Sequence, residues 1–203
     1  MSSKILVIGR IGQVGHELSR AVWPKGFAVE FVERPQFDLS RPGEARAIVI
    51  AARPQIVVNA AAYTAVDAAE SDRDIAFAVN CDGPAILADT CRELGASLIH
   101  YSTDYVYDGR NLGTYGEDDP VAPLSVYGAS KAEGDAAIRV RLDRHVIIRT
   151  SWVYSATGSA SLMTSMALRP PLPTSRQRPL RSAPRLHPVK KTALAPSILP
   201  AAG

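Results

Sequence analysis

The sequence predicts an α/β fold in which helices cover both faces of a doubly wound parallel sheet. Residues 4–9 read Lys-Ile-Leu-Val-Ile-Gly, a short continuous apolar run typical of a strand buried on both faces. A helix-like segment, residues 16–22, follows it, and strand and helix signals then alternate over most of the chain. This alternation favours parallel strands joined by right-handed helical crossovers. With 203 residues, of which 46% are apolar, the chain is not wholly disordered.

The remaining elements follow from the apolar pattern and from turn residues. Further strands are predicted at 27–32, 55–59 and 97–101, and helices at 42–52, at 75–95 as one or two segments, and at 127–138. Ligands of doubly wound sheets bind beyond the carboxyl ends of the strands. We therefore expect the site near the segments that begin at Asn59 and at Ser102.

Charge and proline divide the chain unevenly. Residues 1–158 contain all 20 acidic residues and 16 basic ones, whereas residues 159–203 contain seven basic residues and eight of the 15 prolines. We predict a folded domain over 1–158 and a basic, disordered tail over 159–203, because proline interrupts helices and strands. The basic residues of the tail are dispersed and lack aromatic neighbours, which argues against nucleic-acid binding. The change after Gly158 also fits a truncated or frame-shifted reading of a longer protein.

The lengths of the apolar runs and the two cysteines indicate the location and the redox state of the protein. Its apolar runs are shorter than the roughly 18 residues of a membrane span, and residues 1–8 are too short for a secretory signal. We expect a cytoplasmic protein without a membrane partner. Cys81 and Cys91 have no His or Cys nearby at metal-ligand spacing, which predicts reduced, structural cysteines.

A glycine series links the first strand to the first helix. Gly9, Gly12 and Gly15 form the pattern G-x-x-G-x-x-G. Such a turn lets a pyrophosphate approach backbone N–H groups at a helix N-terminus, where the partial charge favours an anion. Three glycines can also serve a turn alone, but their position between strand and helix favours an NAD(P)-binding Rossmann domain.

The end of the second predicted strand gives two opposing signals about the cofactor. Glu33 favours the ribose hydroxyls of NAD, whereas Arg34 favours the extra phosphate of NADP. The choice between NADH and NADPH stays open. Asp38 and Leu39 could contact an adenine edge, although Asp38 is equally suited to cap the following helix.

A tyrosine and a lysine carry the chemistry that the sequence predicts. Tyr127 and Lys131 lie one helical turn apart on the same face. A neighbouring ammonium would lower the pKa of a tyrosine toward the working range of an acid–base catalyst. Alone, Y-x-x-x-K is common by chance and describes a surface pair. Combined with the glycine turn and with Ser102 and Thr103, whose hydroxyls could bond a substrate carbonyl, the pattern becomes specific.

These motifs together resemble the dTDP-4-dehydrorhamnose reductase family of the extended short-chain dehydrogenases/reductases. The resemblance covers residues 4 to about 158. It is carried by five segments, at residues 8–18, 58–71, 100–109, 123–131 and 149–154. The Gln inside the glycine turn and the Ser-Thr-Asp-Tyr-Val run separate this family from the sugar epimerases and dehydratases of the same superfamily.

The resemblance implies a reaction and a set of site residues. The reaction is hydride transfer from NADPH or NADH to the 4-keto carbon of dTDP-4-dehydrorhamnose, a nucleotide sugar, giving dTDP-L-rhamnose for cell-surface polysaccharide. Tyr127 would be the proton donor, Lys131 its partner and a ribose ligand, and Thr103 the hydroxyl of the catalytic trio. Asp104 would lie at the sugar, and Trp152 would pack on the substrate or, from its apolar neighbours alone, in the core. The implied dinucleotide contacts are Gly9, Gly12, Gln13, Val14 and Gly15 at the pyrophosphate, Asp38 and Leu39 at the adenine, and Ala62, Tyr63, Thr64 and Tyr101 along the rest.

The resemblance ends after Gly158, where family members continue into a domain that grips the sugar nucleotide. We therefore expect weak activity from this chain. Glu17 matches a position that helps to hold Mg²⁺ at a dimer contact in some relatives, but the other carboxylates of that site have no counterpart here, so metal and homodimer are left open. A non-catalytic, dinucleotide-binding regulatory subunit is the alternative, and a nucleic-acid binder is the weakest hypothesis.

Overall fold

A computed structural model describes residues 2–153, which build one five-stranded parallel sheet. Its strands are paired in the order β2-β1-β3-β4-β5. They are β1 (Ser3–Ile8), β2 (Phe27–Val32), β3 (Ile56–Asn59), β4 (Ser97–Thr103) and β5 (His145–Thr150). The predicted doubly wound parallel sheet is confirmed. The tail predicted for 159–203 lies outside the described residues.

The helices connect successive strands. They are α1 (Gln13–Arg20), α2 (Pro42–Ala52), α3 (Val66–Ala69), α4 (Arg73–Phe77), α5 (Gly83–Leu94) and α6 (Val126–Arg141). A π-helical turn, Ala78–Asp82, joins α4 directly to α5, and a 3₁₀ turn, Asp104–Val106, follows β4. The prediction of one or two helices over 75–95 is thus met by two helices and the turn between them.

The two faces of the sheet bury different residues because side chains alternate along each strand. Leu6 and Ile8 of β1 belong to a large core that includes Val49 of α2, Leu87 of α5 and Ile138 of α6. On the opposite face, Ile5, Val7 and Val58 form a smaller core with Leu18 of α1 and Trp23. Helices therefore cover both faces, as a doubly wound sheet requires.

The strand order reverses at β1. The chain passes from β1 to β2 on one side, and then returns across β1 to β3 on the other. In open α/β sheets the crevice at such a reversal, outside the carboxyl ends of the strands, is where ligands bind. The residues that follow β1 and β3, Gly9 and Ala60, stand at this crevice.

Two glycines allow the first strand, the first helix and the β3 loop to meet. Gly9 has φ +94°, and a Cβ there would lie 2.7 Å from the backbone nitrogen of Ala61. A Cβ on Gly15 would lie 1.9 Å from the carbonyl oxygen of Gly9. Helix α1 begins at Gln13 rather than at the predicted residue 16, so Gly15 lies inside its first turn. The glycine permits that turn to pack directly on β1.

Two sequence expectations concern cysteines and membranes. Cys81 and Cys91 are free thiols, and burial raises the pKa of Cys91 to about 12. Cys91 belongs to the large core, which agrees with a structural role. Over residues 2–153, every helix is too short or too polar to cross a bilayer.

Candidate active site

Helix α6 presents Tyr127 and Lys131 to the interior. Tyr127 is 9% exposed and Lys131 is 1% exposed, so the interpretation of Y-x-x-x-K as a surface pair is wrong. Two glycines bring the helix this close to its neighbours, since a Cβ on Gly128 would lie 2.3 Å from the carbonyl oxygen of Tyr105, and one on Gly134 would lie 2.0 Å from that of Asn80. The pair is therefore placed by backbone contacts.

Thr103 is the last residue of β4 and meets Tyr127 there. Its hydroxyl accepts a hydrogen bond from the backbone N–H of Tyr105 at 3.2 Å and donates one to Asp104 Oδ1 at 3.2 Å. Burial raises the pKa of Tyr127 to about 12, while a side-chain hydrogen bond with Thr103 opposes the rise. The predicted lowering of this pKa by Lys131 is wrong for this arrangement. Tyr127 therefore holds its proton at neutral pH.

Lys131 engages β4 instead of acting on the phenol. Its Nζ donates to the carbonyl oxygen of Tyr101 at 2.7 Å and lies 3.1 Å from His100 Nε2. Burial lowers the pKa of Lys131 to about 8, and the charge of Asp135 opposes this shift. His100, which the sequence reasoning missed, is fully buried, and burial and the charge of Lys131 hold its pKa well below 6.5.

A second polar group, around Asp135, lies next to this lysine. Asp135 Oδ2 accepts from Ser102 Oγ at 2.9 Å and from Arg149 Nε at 3.3 Å. Ser102 is thus engaged inside the protein, which leaves Thr103 as the hydroxyl at the strand end. Asp135 also escaped the sequence reasoning, although its spacing of four residues from Lys131 on one helix face was a signal.

The glycine turn leaves an open approach to the N-terminus of α1. Gly12 is exposed, and a Cβ there would meet only the carbonyl oxygen of Gly9, at 3.7 Å. Packing among the described residues therefore does not explain a glycine at this position. In the same part of the chain, α1 has no side-chain hydrogen bond at its N-cap. Gln13 and Val14 are half-buried in the first turn, and an anion would find unbonded N–H groups there.

The loop after β3 is held by an asparagine that the sequence reasoning did not single out. Asn80, in the π-helical turn, accepts from the backbone N–H of Tyr63 at 2.9 Å and donates to its carbonyl oxygen at 2.9 Å. It also donates to Ser130 Oγ at 3.0 Å. Ala62 and Tyr63 are half-buried and Thr64 is exposed at the crevice.

Asp38 and Leu39 have roles inside the protein. Asp38 Oδ1 accepts from the backbone N–H and the hydroxyl of Ser40, at 2.9 and 2.7 Å, in a turn before α2. The N-cap of α2 is Arg41, so Asp38 belongs to the region that leads into the helix but is not its N-cap residue. Leu39 is 3% exposed and packs in the large core. Contact with an adenine would thus come from its backbone.

The remaining predicted site residues are Glu33 and Arg34, which bear on the choice between NAD and NADP, and Trp152. Glu33 carries a buried carboxylate oxygen, Oε2, with no hydrogen-bond partner among residues 2–153, while Arg34 is exposed. The structure therefore leaves both predicted signals in place, Glu33 for NAD and Arg34 for NADP. Trp152 is 41% exposed, with φ +41°, two residues after β5. This exposure disfavours the core-packing interpretation of Trp152.

The parallel sheet, the glycine turn and the buried Tyr–Lys pair define a Rossmann-type domain of the extended short-chain dehydrogenase/reductase class. A family model described as the RmlD substrate binding domain matches residues 3–171, and the chain belongs to that family. The resemblance stated from the motifs is confirmed.

Relatives and solved structures agree with this family. The chain is 46% identical over 165 residues to a dTDP-4-dehydrorhamnose reductase of Burkholderia thailandensis, covering 81% of this chain and 55% of the relative. It is 42% identical over 167 residues to that of Escherichia coli, covering 81% and 56%. A crystal structure of the Bacillus anthracis reductase in complex with NADP has a TM-score of 0.74 at 33% identity, covering 78% of this chain and 56% of that one. The chain thus spans about half the length of the curated relatives that it matches.

Within the described range 2–153, His, Cys, Asp and Glu side chains form no group of three or more placed to hold a metal ion.

Proposed function

We propose that this chain is the dinucleotide-binding and catalytic part of an NAD(P)H-dependent reductase that acts on the 4-keto group of dTDP-4-dehydrorhamnose. One observation carries the proposal: Tyr127, Lys131 and Thr103 are buried together at the carboxyl end of β4, on the edge of the sheet that also presents the glycine turn. Relatives that carry the reductase name support the choice of substrate.

The residues at the crevice suit a nicotinamide dinucleotide. Gly12, Gln13 and Val14 would bind the pyrophosphate through the open first turn of α1, because Gly12 leaves room for a phosphate. Asp38 and Leu39 would lie at the adenine, and Lys131 at a ribose. The rest of the dinucleotide would be lined by Ala62, Tyr63, Thr64 and Tyr101.

The chemistry divides between the dinucleotide and the protein. When bound, the nicotinamide would supply a hydride to the carbonyl carbon. Tyr127 would donate its phenolic proton to the carbonyl oxygen, for which its protonated state at neutral pH is suited. Thr103 would donate a hydrogen bond to the same oxygen and orient it. Asp104 and Trp152 would bind the sugar, which places the carbonyl near the acid.

The test is oxidation of NADPH or NADH with dTDP-4-dehydrorhamnose, at a concentration of this chain high enough to measure the weak turnover expected of it. Tyr127→Phe should keep dinucleotide binding and lower the rate roughly 10²-fold or more, the scale of a lost general acid. Tyr115→Phe removes a phenol whose hydroxyl donates to Asp108 in a surface loop, and it should keep the wild-type rate. Where the wild-type rate is measurable, equal rates for the two variants would refute the assignment of Tyr127. Binding of a dinucleotide without any turnover would favour a non-catalytic regulatory subunit.

A further inference from the structure

Two side chains cap the first turn of α6, and one of them is distant in the sequence. Ser125, the N-cap residue, accepts a hydrogen bond through its Oγ from the backbone N–H of Gly128 at 3.0 Å. The N–H of Val126, the first helical residue, donates to Glu70 Oε1 at 2.9 Å. N–H groups in the first turn of a helix have no acceptor within the helix itself. Glu70 therefore supplies a cap from outside α6.

The end of α3 holds Glu70 at this place. Glu70 directly follows α3, and its own N–H donates to the carbonyl oxygen of Asp67 at 3.3 Å. Ala69, the last residue of α3, is 0% exposed and packs in one apolar cluster with Tyr127. Val126 packs against the same cluster. An apolar contact and a hydrogen bond thus join the end of α3 to the start of α6.

Tyr127 lies between two links from the segment that joins β3 to α5. Glu70 binds Val126, the residue before it. Asn80 donates to Oγ of Ser130, three residues after it, at 3.0 Å. The hydroxyl of Ser130 in turn donates to the carbonyl oxygen of Tyr127 at 2.8 Å. Without Glu70, the link that precedes the tyrosine would be lost.

The segment that carries Glu70 is also the one that would line the dinucleotide. Tyr63 and Thr64 follow β3 and stand at the crevice, and α3 and Glu70 come directly after them. Carbonyl reduction needs a hydride at the carbon and a proton at the oxygen of the same carbonyl group. The nicotinamide and the phenol must therefore keep a fixed spacing. A hydrogen bond from this segment to α6 fixes the start of the helix relative to the dinucleotide.

We propose that Glu70 is a positioning residue, which holds Tyr127 in place by capping the first turn of α6. This role rests on the proposed function, in which Tyr127 is the acid. Glu70 brings an acceptor oxygen and a negative charge, and both suit the N-terminus of a helix. The oxygen is the part that positions the turn, because a hydrogen bond has a preferred length and direction. Glutamine should therefore preserve the role, and alanine should remove it.

Hydrogen exchange measures the cap without any turnover. In the ¹⁵N-labelled chain, the amide of Val126 should exchange roughly tenfold or more faster in Glu70→Ala than in the wild type, and within about twofold of the wild-type rate in Glu70→Gln. The amide of Leu142 donates to the carbonyl oxygen of Ile138 at the other end of α6, and its exchange should not change. Unchanged exchange at Val126, or equal acceleration at both amides, would overturn the proposal.

The placement of the phenol is measured by NMR of the chain with ¹³C-labelled tyrosine rings. The ring signal of Tyr127, assigned by its loss in Tyr127→Phe, should shift in Glu70→Ala and keep its position in Glu70→Gln. Glu117→Ala, which removes a carboxylate from an exposed loop, is the matched control and should cause no shift. An unshifted Tyr127 signal in folded Glu70→Ala would contradict the positioning role.

The variant Glu70→Asp separates the oxygen from the charge. It keeps the carboxylate but withdraws it by one methylene group, so it should accelerate exchange at Val126 and shift the Tyr127 signal as alanine does. It also decides the question if Glu70→Ala does not fold. Wild-type exchange at Val126 and a wild-type Tyr127 signal in Glu70→Asp would mean that charge alone suffices, which contradicts the proposed role of the oxygen.

Turnover separates placement of the acid from binding of the substrate. Because a misplacement of about 1 Å can cost roughly 10²-fold in rate, kcat of Glu70→Ala should fall about tenfold or more, while KM for the sugar nucleotide and Kd for the dinucleotide stay unchanged. Glu70→Gln should restore kcat.

The failures of this inference and of the proposed function are distinguishable. Equal kcat values for the wild type and Glu70→Ala contradict the positioning role and leave the reductase assignment standing. A chain that binds no dinucleotide, but in which Glu70→Ala accelerates exchange at Val126 and shifts the Tyr127 signal, contradicts the reductase assignment and leaves the cap intact.

Discussion

Replacing Gly12 by Val should leave the fold intact and weaken dinucleotide binding. The backbone of Gly12 is extended, with φ −68° and ψ 160°, which valine adopts readily. A Cβ there would lie 3.7 Å from the carbonyl oxygen of Gly9, an ordinary contact distance. The poorer N-cap preference of valine costs about 1 kcal/mol of unfolding free energy.

The loss of affinity should exceed that loss of stability. A branched side chain at Gly12 stands where a phosphate must approach the first N–H groups of α1. Losing one hydrogen bond to a charged group costs about 1.5–3 kcal/mol, which is roughly a 10- to 150-fold rise in Kd. Fluorescence titration with NADPH and with NADH measures Kd, and urea denaturation measures stability.

Gly15→Ala is the matched contrast. Its Cβ would lie 1.9 Å from the carbonyl oxygen of Gly9, so α1 must shift, at roughly 1–3 kcal/mol or more of stability. Gly12→Val should thus mainly raise the Kd for the dinucleotide, whereas Gly15→Ala should mainly lower the free energy of unfolding. Equal Kd values for Gly12→Val and the wild type would refute the assignment of this turn to the pyrophosphate.

Three further predictions concern the buried lysine, the core and Thr103. The pKa of Lys131 falls from 10.5 to about 8 on folding, so between these pH values the unfolded chain binds a proton that the folded chain has lost. The free energy of unfolding should therefore rise by about 1 kcal/mol from pH 8 to pH 9, relative to Lys131→Met. Urea denaturation that shows no such difference between the two proteins would contradict this. Leu87→Ala, at a 0% exposed core position, should lose about 2–5 kcal/mol in urea denaturation, whereas Val22→Ala, at a 99% exposed position, should lose under about 0.5. Thr103→Val should keep dinucleotide affinity but reduce turnover, which stopped-flow assays of NADPH oxidation can resolve; an unchanged rate would exclude its hydroxyl from the site.

Elements whose signals are local could be predicted from the sequence alone. The strand at 27–32 and the helix at 42–52 have the predicted bounds, because an apolar run and a proline at the first helical position specify them within a few residues. The glycine series and the Tyr–Lys spacing likewise depend on neighbours in the chain. These features were enough to predict the sheet, the crevice and the residues for the proposed chemistry.

Features that depend on partners far apart in the chain could be seen only in the packed fold. Strand β5 was not predicted, since its pairing with β4 defines it as much as its composition does. In the sequence, His100 is only one residue of a predicted strand segment. The packing of α6 on β4 brings it to Lys131, 31 positions away, and the pairing of β3 with β4 brings it to Asn59, 41 positions away. The pKa of Tyr127 was predicted with the wrong sign because spacing on a helix shows which charge is near but not how deeply the phenol is buried. Burial and hydrogen-bond direction are properties of the packed fold, and they set the protonation states on which the site depends.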